Sequence, residues 1–320
     1  MSTGVQEVSK WKLNAAGVAF TACVGFSFFG IKQCVPYADT LVLLAYRYMA
    51  ALIGVILFTI GSKALGKYPQ TEPGRPKKML YMTAAFYMLF MILQILAMYF
   101  TTSIEGAIVY AMVPIFAKII GRIVLGERST RLQNIFVVVT VAALLVLVIL
   151  NATDIHLNVT GLIIMTISSI FMGCQNVSAR YVRGVFAPIE ITTCIAAGGF
   201  VIFYGAALVR ALARHDLYSL FEPLQHPQFV IWVSFLGIGC ILLSAQFMAF
   251  MLAHMQIVQS TAFNSASTLV SIIAGALILG EPLYWYHYVC GSLILAGVIG
   301  LTLAPAEESN SGKSLRDDMD

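Results

Sequence analysis

Charge is what this sequence has least of. Of its 320 residues only 11% are Asp, Glu, Lys or Arg, against roughly 25% in soluble globular chains, so an ordinary soluble enzyme is excluded. Six cysteines stand at 23, 34, 174, 194, 240 and 290 with no CxxC and no paired histidines. That spacing supports neither a zinc site nor a disulfide framework, and no cofactor is expected. No GxxxxGK[ST] segment occurs, and no polar stretch is long enough to fold into a nucleotide-binding domain, which excludes an ATP-driven pump. Asp is missing from the interior of every long apolar run, and HxxxH and DxxxD are absent. A membrane-embedded enzyme needs such paired carboxylates, metal clusters or an activated nucleophile, so that class ranks behind the others.

What fills the chain instead is apolar: 59% hydrophobic residues and a mean hydropathy of +0.87. A helix crossing a bilayer needs roughly 20 mainly apolar residues, and windows of about that length predict spans near 13–32, 40–62, 79–100, 105–125 and 132–150. A second set is predicted near 161–180, 189–211, 229–250, 258–280 and 285–303. The first run follows a polar stretch, residues 1–12, and is read as a span rather than a cleaved signal peptide. Pro and Gly punctuate the linker from Lys67 to Pro76, where a helix cannot continue. The acidic tail at 306–320 is expected to be disordered and cytoplasmic.

Fourteen of the Lys and Arg residues fall on one set of linkers and termini, while Lys32, Arg210 and Arg214 fall on the other. The positive-inside rule then puts both termini in the cytoplasm of a cell-membrane protein. The net charge of +4 is scattered over short loops rather than gathered into a basic face, so nucleic acid is not an expected partner. The lipid bilayer and a small-molecule substrate are, and a homo-oligomer stays open.

Two stretches match at one offset. Residues 105–127 read EGAIVYAMVPIFAKIIGRIVLGE and residues 259–281 read QSTAFNSASTLVSIIAGALILGE, pairing Gly121 with Gly275 and Glu127 with Glu281. With five spans in each half, the second half enters the membrane the other way up, the inverted-repeat plan of many secondary transporters. The fold class expected is therefore all-α and integral to the membrane, ten helices as two inverted five-helix repeats (13–150 and 161–303) around a central cavity.

The AYRYMAAL run around Arg47, the proline in the fourth span (Pro114), and the LGE that closes the fourth and ninth spans resemble the EamA branch of the drug/metabolite transporter superfamily, over nearly the whole of 13–303. The resemblance implies ten helices around a cavity and alternating access, often for export of amino acids or other small metabolites. Thr268 stands where the first half has Pro114, and Ile272 where it has Lys118, and the superfamily carries very different cargoes. A channel or a non-transporting scaffold is the alternative reading.

An ionised side chain in hydrocarbon costs about 2.5–3.5 kcal/mol on insertion scales, so each intramembrane charge needs a cavity, a partner or a route to the interface. On an unbroken helix Gly106, Tyr110, Pro114, Lys118 and Gly121 share one face, and Asn264 and Thr268 share the equivalent face of the ninth span. Lys118 is expected either to pair with an anionic group of the cargo or to snorkel to the interface, with Tyr110, Asn264 and Thr268 reading the polar remainder. Arg47 either clamps backbone carbonyls or meets cargo. Glu105 sits where a carboxylate suits a helix start, as a cap or in proton coupling, and a salt bridge to Arg47 depends on the fold. Tyr87 and Gln94 in the third span, Gln175 and Asn176 in the sixth, and Gln246 in the eighth are further polar candidates. His254, also in the eighth, is a coupling candidate or a solvated helix-end histidine. Glu127 and Glu281 are expected to lock the neighbouring loop or meet the start of the next helix rather than touch cargo. Tyr284, Trp285, Tyr286 and Tyr288 read as an interfacial aromatic belt.

Overall fold

Apolar runs of this length fold as helices, because in lipid every backbone N–H and C=O must find its partner within the segment. The computed structural model describes residues 10–66, 77–125, 130–153, 159–183, 185–254 and 257–303, and these are helical throughout apart from short turns. The first half holds α1 (Lys10–Gly25), α2 (Ser27–Cys34), α3 (Thr40–Ala64), α4 (Lys78–Met98), α5 (Ser103–Tyr110), α6 (Val113–Leu125) and α7 (Arg131–Thr153). The second holds α8 (Val159–Arg183), α9 (Pro188–Gly199), α10 (Gly205–Ala213), α11 (Tyr218–Phe221), α12 (Pro227–Ser234), α13 (Ser244–His254), α14 (Ile257–Leu277) and α15 (Trp285–Leu303). Among the described residues seven helical stretches are long and apolar enough to cross a membrane, and Arg131–Leu147, Ala266–Leu277 and Trp285–Leu301 are shorter apolar helices. Glu127 and the tail at 306–320 lie outside the described residues.

The fourth predicted span is broken into α5 and α6. Pro114 has no N–H to give the Tyr110 carbonyl and its ring crowds that turn, so the chain turns through Ala111 and Met112 before the helix resumes. Two other spans carry π-helical turns, at Phe200–Tyr204 between α9 and α10 and at Phe235–Leu243 between α12 and α13. Both pack against α3. At the second, a Cβ added to Gly237 would overlap the Arg47 carbonyl oxygen and stand 2.7 Å from the Ala51 nitrogen, so only glycine lets the two backbones touch here.

The helices pack across the halves. The most extensive contacts pair α4 with α8, α7 with α15 and α1 with α14. Hydroxyls tie the first and last of these pairs together: Thr83 and Ser178 lie 3.1 Å apart, Ser168 donates to the Phe90 carbonyl at 2.8 Å, and Ser271 donates to the Gly25 carbonyl at 2.5 Å. Such bonds average only about 0.6 kcal/mol in membranes, so close packing carries most of the cohesion. Leu57, Ile123, Val138, Val201 and Leu277 turn outward, as a lipid-facing surface requires.

Candidate functional site

Between the halves lies a cavity of about 320 Å³, walled by α1, α2, α3, α4, α5, α6, α8, α9, α13, α14 and the π turn at Cys240–Ile241. That volume is at the small end of ligand pockets, about 300–1,000 Å³. Its lining includes Pro188 and Leu252, which are exposed, so this end is the mouth. It lies where α8 and α13 finish and α9 begins, the end of the bundle that also carries Lys10, Lys63, Lys78 and Arg122. The deep end is formed by Arg47, Gln94, Tyr87 and Tyr110, and an aromatic wall runs through it. The Phe90 ring is 5.7 Å from Tyr87 and 5.8 Å from Tyr110, which in turn meets Phe28 at 5.7 Å.

Arg47 is 1% exposed, and its Nε and Nη1 have no hydrogen-bond partner. Gln94, 3% exposed, has its side-chain oxygen unpartnered as well. A guanidinium stays charged at any physiological pH, and a buried charge without a partner costs several kcal/mol. The deep end of the cavity is therefore cationic and unsatisfied. Among the described residues lining the cavity there is no Asp or Glu.

Of the residues singled out in the sequence, Tyr110, Asn264, Arg47, Gln94, Tyr87, Gln175, Asn176 and Pro114 line this cavity. Lys118, Thr268, Glu105 and His254 are not among its lining residues. Lys118 is half-buried on α6, and the turn at Ala111–Met112 breaks the continuous stripe that would have aligned it with Tyr110. Thr268 is buried one turn beyond Asn264 on α14. His254 is exposed at the end of α13, its Nδ1 2.9 Å from the Phe250 carbonyl oxygen, which is the solvated helix-end arrangement.

Glu105 caps α5. Its Oε2 accepts from Thr101 Oγ1 at 2.6 Å and from the Thr102 N–H at 3.0 Å, while Thr102 Oγ1 accepts from the Glu105 N–H at 3.1 Å, a capping box. The side chain facing it is not Arg47 but His287, whose Nε2 stands 3.8 Å from Glu105 Oε1, both side chains 2% exposed. The Tyr284 N–H donates to His287 Nδ1 at 3.2 Å, which leaves the proton on Nε2, facing the carboxylate. Glu281 meets a helix start, but that of α5 in the other half rather than the next helix: it accepts from the Ser103 and Ile104 N–H groups and from Ser103 Oγ. Lys32 is near enough to feel both Glu281 and Glu105. These polar groups lie together at the end of the bundle opposite the mouth. The aromatic belt is only partly one: Trp285 and Tyr288 are exposed, whereas Tyr286 is 5% exposed, stacked on Tyr284, and His287 points inward.

Sequence reasoning missed His287, because nothing local marks it and its partner is distant in the chain. It also missed Ser27, Thr192, Cys240 and Ser244 on the cavity wall, since single small polar residues in apolar helices are common.

Many apolar helices around one polar-ended, one-sided cavity define a multi-pass membrane transport protein. The comparisons with known proteins agree. The model of the EamA-like transporter family matches residues 11–149 and again 159–303, and the chain belongs to that family. It is similar to the "Uncharacterized transporter YcxC" of Bacillus subtilis (strain 168), 29% identical over 289 residues, 89% of this chain and 91% of that protein. A solved crystal structure, titled only as that of a protein, covers 92% of this chain and 98% of its own at a TM-score of 0.61 and 15% identity, a likeness of fold. The chain is thus a membrane transporter with a small-molecule substrate and a lipid environment.

Proposed function

We propose that the protein is a secondary carrier that exports small polar metabolites, such as amino acids, from the cytoplasm by alternating access. On this reading ten spans form two inverted five-helix repeats. The reading is supported by the family's double match, by the seven long and three shorter apolar helices, and by helix pairs that join one half to the other.

The observation that carries the proposal is the one-sidedness of the cavity. Its mouth lies at the Lys- and Arg-rich end, which the positive-inside rule assigns to the cytoplasm. Its far end is shut by Glu105, His287 and the Glu281 cap. A carrier caught facing inward has this shape, and the outward state follows by rocking the halves about the site. Glu105 then acts at the outer gate rather than on cargo.

The test is counterflow into proteoliposomes preloaded with amino acids, organic acids, nucleosides, sugars or polyamines. Saturable uptake stimulated by the same solute inside is expected. Flux that grows linearly with concentration, without trans-stimulation, would mean a channel, and no flux of any solute a scaffold.

A further inference from the structure

The deep end of the cavity says more about cargo than the carrier reading does. Arg47 brings a permanent positive charge there, its Nε and Nη1 without a hydrogen bond and its side chain 1% exposed. The lining shows no acidic residue among those described, so the counter-charge is not supplied by the wall. Tyr87 and Tyr110 lie within electrostatic reach of the guanidinium, and hydroxyls can share an anion with it. Beside them the unpartnered oxygen of Gln94 accepts but does not donate. The remaining wall toward the mouth is mostly apolar, with Met91, Met172, Ile195 and Met248, and carries Gln175 and Asn264 among them.

We infer that Arg47 is the anchor for the cargo's anionic group, and that the cargo class is a small carboxylate with one hydrogen-bond donor for Gln94 and an apolar body. A carboxylate takes a charge-assisted hydrogen bond from a guanidinium N–H, and both Nε and Nη1 of Arg47 lack any other partner. Cargo whose only charge is positive has no place here: it would be driven from the deep end by Arg47 and would meet no carboxylate among the described residues of the wall. Neutral cargo would accept a hydrogen bond from the guanidinium but leave its charge without a counter-charge. The inference rests on the carrier reading only for the word cargo, because the site itself would bind in a protein that transports nothing.

The test uses two matched probe sets, indole-3-propionate with its primary amide and tryptamine, and 4-methylvalerate with its primary amide and isoamylamine. Affinities are measured on the full chain in phosphatidylcholine nanodiscs, for wild type, Arg47→Gln and Arg47→Lys. In the wild type at least one carboxylate binds about tenfold or more tighter than its amide, and neither amine binds. Arg47→Gln brings that ratio to about one, and Arg47→Lys, which keeps the charge but not the spread of guanidinium donors, gives an intermediate value. Without ligand, Arg47→Gln is at least as heat-stable as the wild type, since it loses an unpaired buried charge. If Arg47→Gln does not fold, the intermediate ratio in Arg47→Lys decides.

Failure of both carboxylates to bind, a wild type that does not distinguish carboxylate from amide, or an Arg47 variant with undiminished preference overturns the inference. So does a large loss of ligand-free stability with the preference intact, which would make Arg47 a clamp on the fold. Counterflow of neutral or cationic solutes without carboxylate binding sinks the anchor and leaves the carrier standing. Carboxylate binding without counterflow does the reverse.

Discussion

Glu281 caps a helix that begins 178 residues before it. Its Oε1 accepts from the Ser103 N–H at 2.9 Å, and its Oε2 from Ser103 Oγ at 2.6 Å and the Ile104 N–H at 3.1 Å. A helix start exposes unpaired N–H groups and the positive end of its dipole, and here a carboxylate from the second family-matched segment satisfies them in the first. The contact ties the halves together through one side chain, and Gly275 leaves room for it: a Cβ there would be 2.8 Å from Glu281 Oε2 and 2.9 Å from Ser103 Oγ.

Glu281→Ala is therefore expected to lower unfolding free energy by about 2–3 kcal/mol, the worth of hydrogen bonds to a charged group. Glu281→Gln, which keeps an acceptor but not the charge, should lose less. Gly275→Ala should resemble Glu281→Ala, because it evicts the carboxylate. Equilibrium unfolding in mixed micelles checks the series, and a Glu281→Ala protein as stable as wild type would refute the cap.

Gly237→Ala should cost about 1–3 kcal/mol, the usual toll of forcing atoms into a filled interface. Its methyl group meets the Arg47 carbonyl and lies 2.7 Å from both the Ala50 Cβ and the Ala51 nitrogen, which are backbone or fixed close to it. Gly205→Ala is the control, since nothing lies within 4 Å of a Cβ there. It should be neutral or slightly stabilising through helix propensity. Equal effects at the two positions would show that contact with α3 is not what matters at Gly237.

Much of this was legible in the sequence, and the exceptions have physical reasons. Apolar runs report helix positions directly, because lipid leaves the backbone no other choice. Arg47, Gln94, Tyr87, Gln175 and Asn264 were found because polar groups in such runs must face something polar, and the cavity gives them that. Lys118 was aligned with Tyr110 by assuming one continuous helical period, and the turn before Pro114 resets that phase. The π turns beside α3 have no residue signature, and the pairing of His287 with Glu105 is decided by tertiary packing. A histidine inside an aromatic run reads as interface until its neighbours are known.

At the same end of the bundle, Asp39 caps α3 through the Val42 N–H at 2.9 Å and pairs with Arg210 at 2.5 Å. Partial burial pushes the Asp39 carboxyl up, but the hydrogen bonds from Arg210 and the α3 backbone outweigh it and hold the group below its ordinary value. A carboxylate held low in the folded state stabilises above its unfolded pKa, about 3.9, and loses that contribution as pH falls through the folded value. Asp39 is half exposed, so the ion pair is worth under about 1 kcal/mol. Asp39→Asn should cost that much at pH 7, and the cost should shrink as pH falls below the ordinary carboxylate range and in molar salt. Asp39→Ala should lose about 1 kcal/mol more through the cap. An Asn variant whose deficit persists in acid would place the effect elsewhere.

Glu105 and His287 allow a sharper measurement. Each is 2% exposed, and Glu105 Oε1 and His287 Nε2 lack any hydrogen-bond partner while standing 3.8 Å apart. The distance is too long for a direct hydrogen bond, yet the low dielectric around the pair lets the carboxylate and the Nε2–H dipole act on each other. Glu105→Gln keeps acceptors for Thr101 and Thr102, and His287→Asn keeps one for the Tyr284 N–H, so each removes the cross-helix term with least collateral change. Unfolding free energies of the two single variants and the double should then fail to add by about 0.5–2 kcal/mol. Additivity within about 0.3 kcal/mol would mean that α5 and α15 meet here by packing alone. It would also remove the reason to place Glu105 at a gate, because a gate needs a contact that is made in one state and broken in the other.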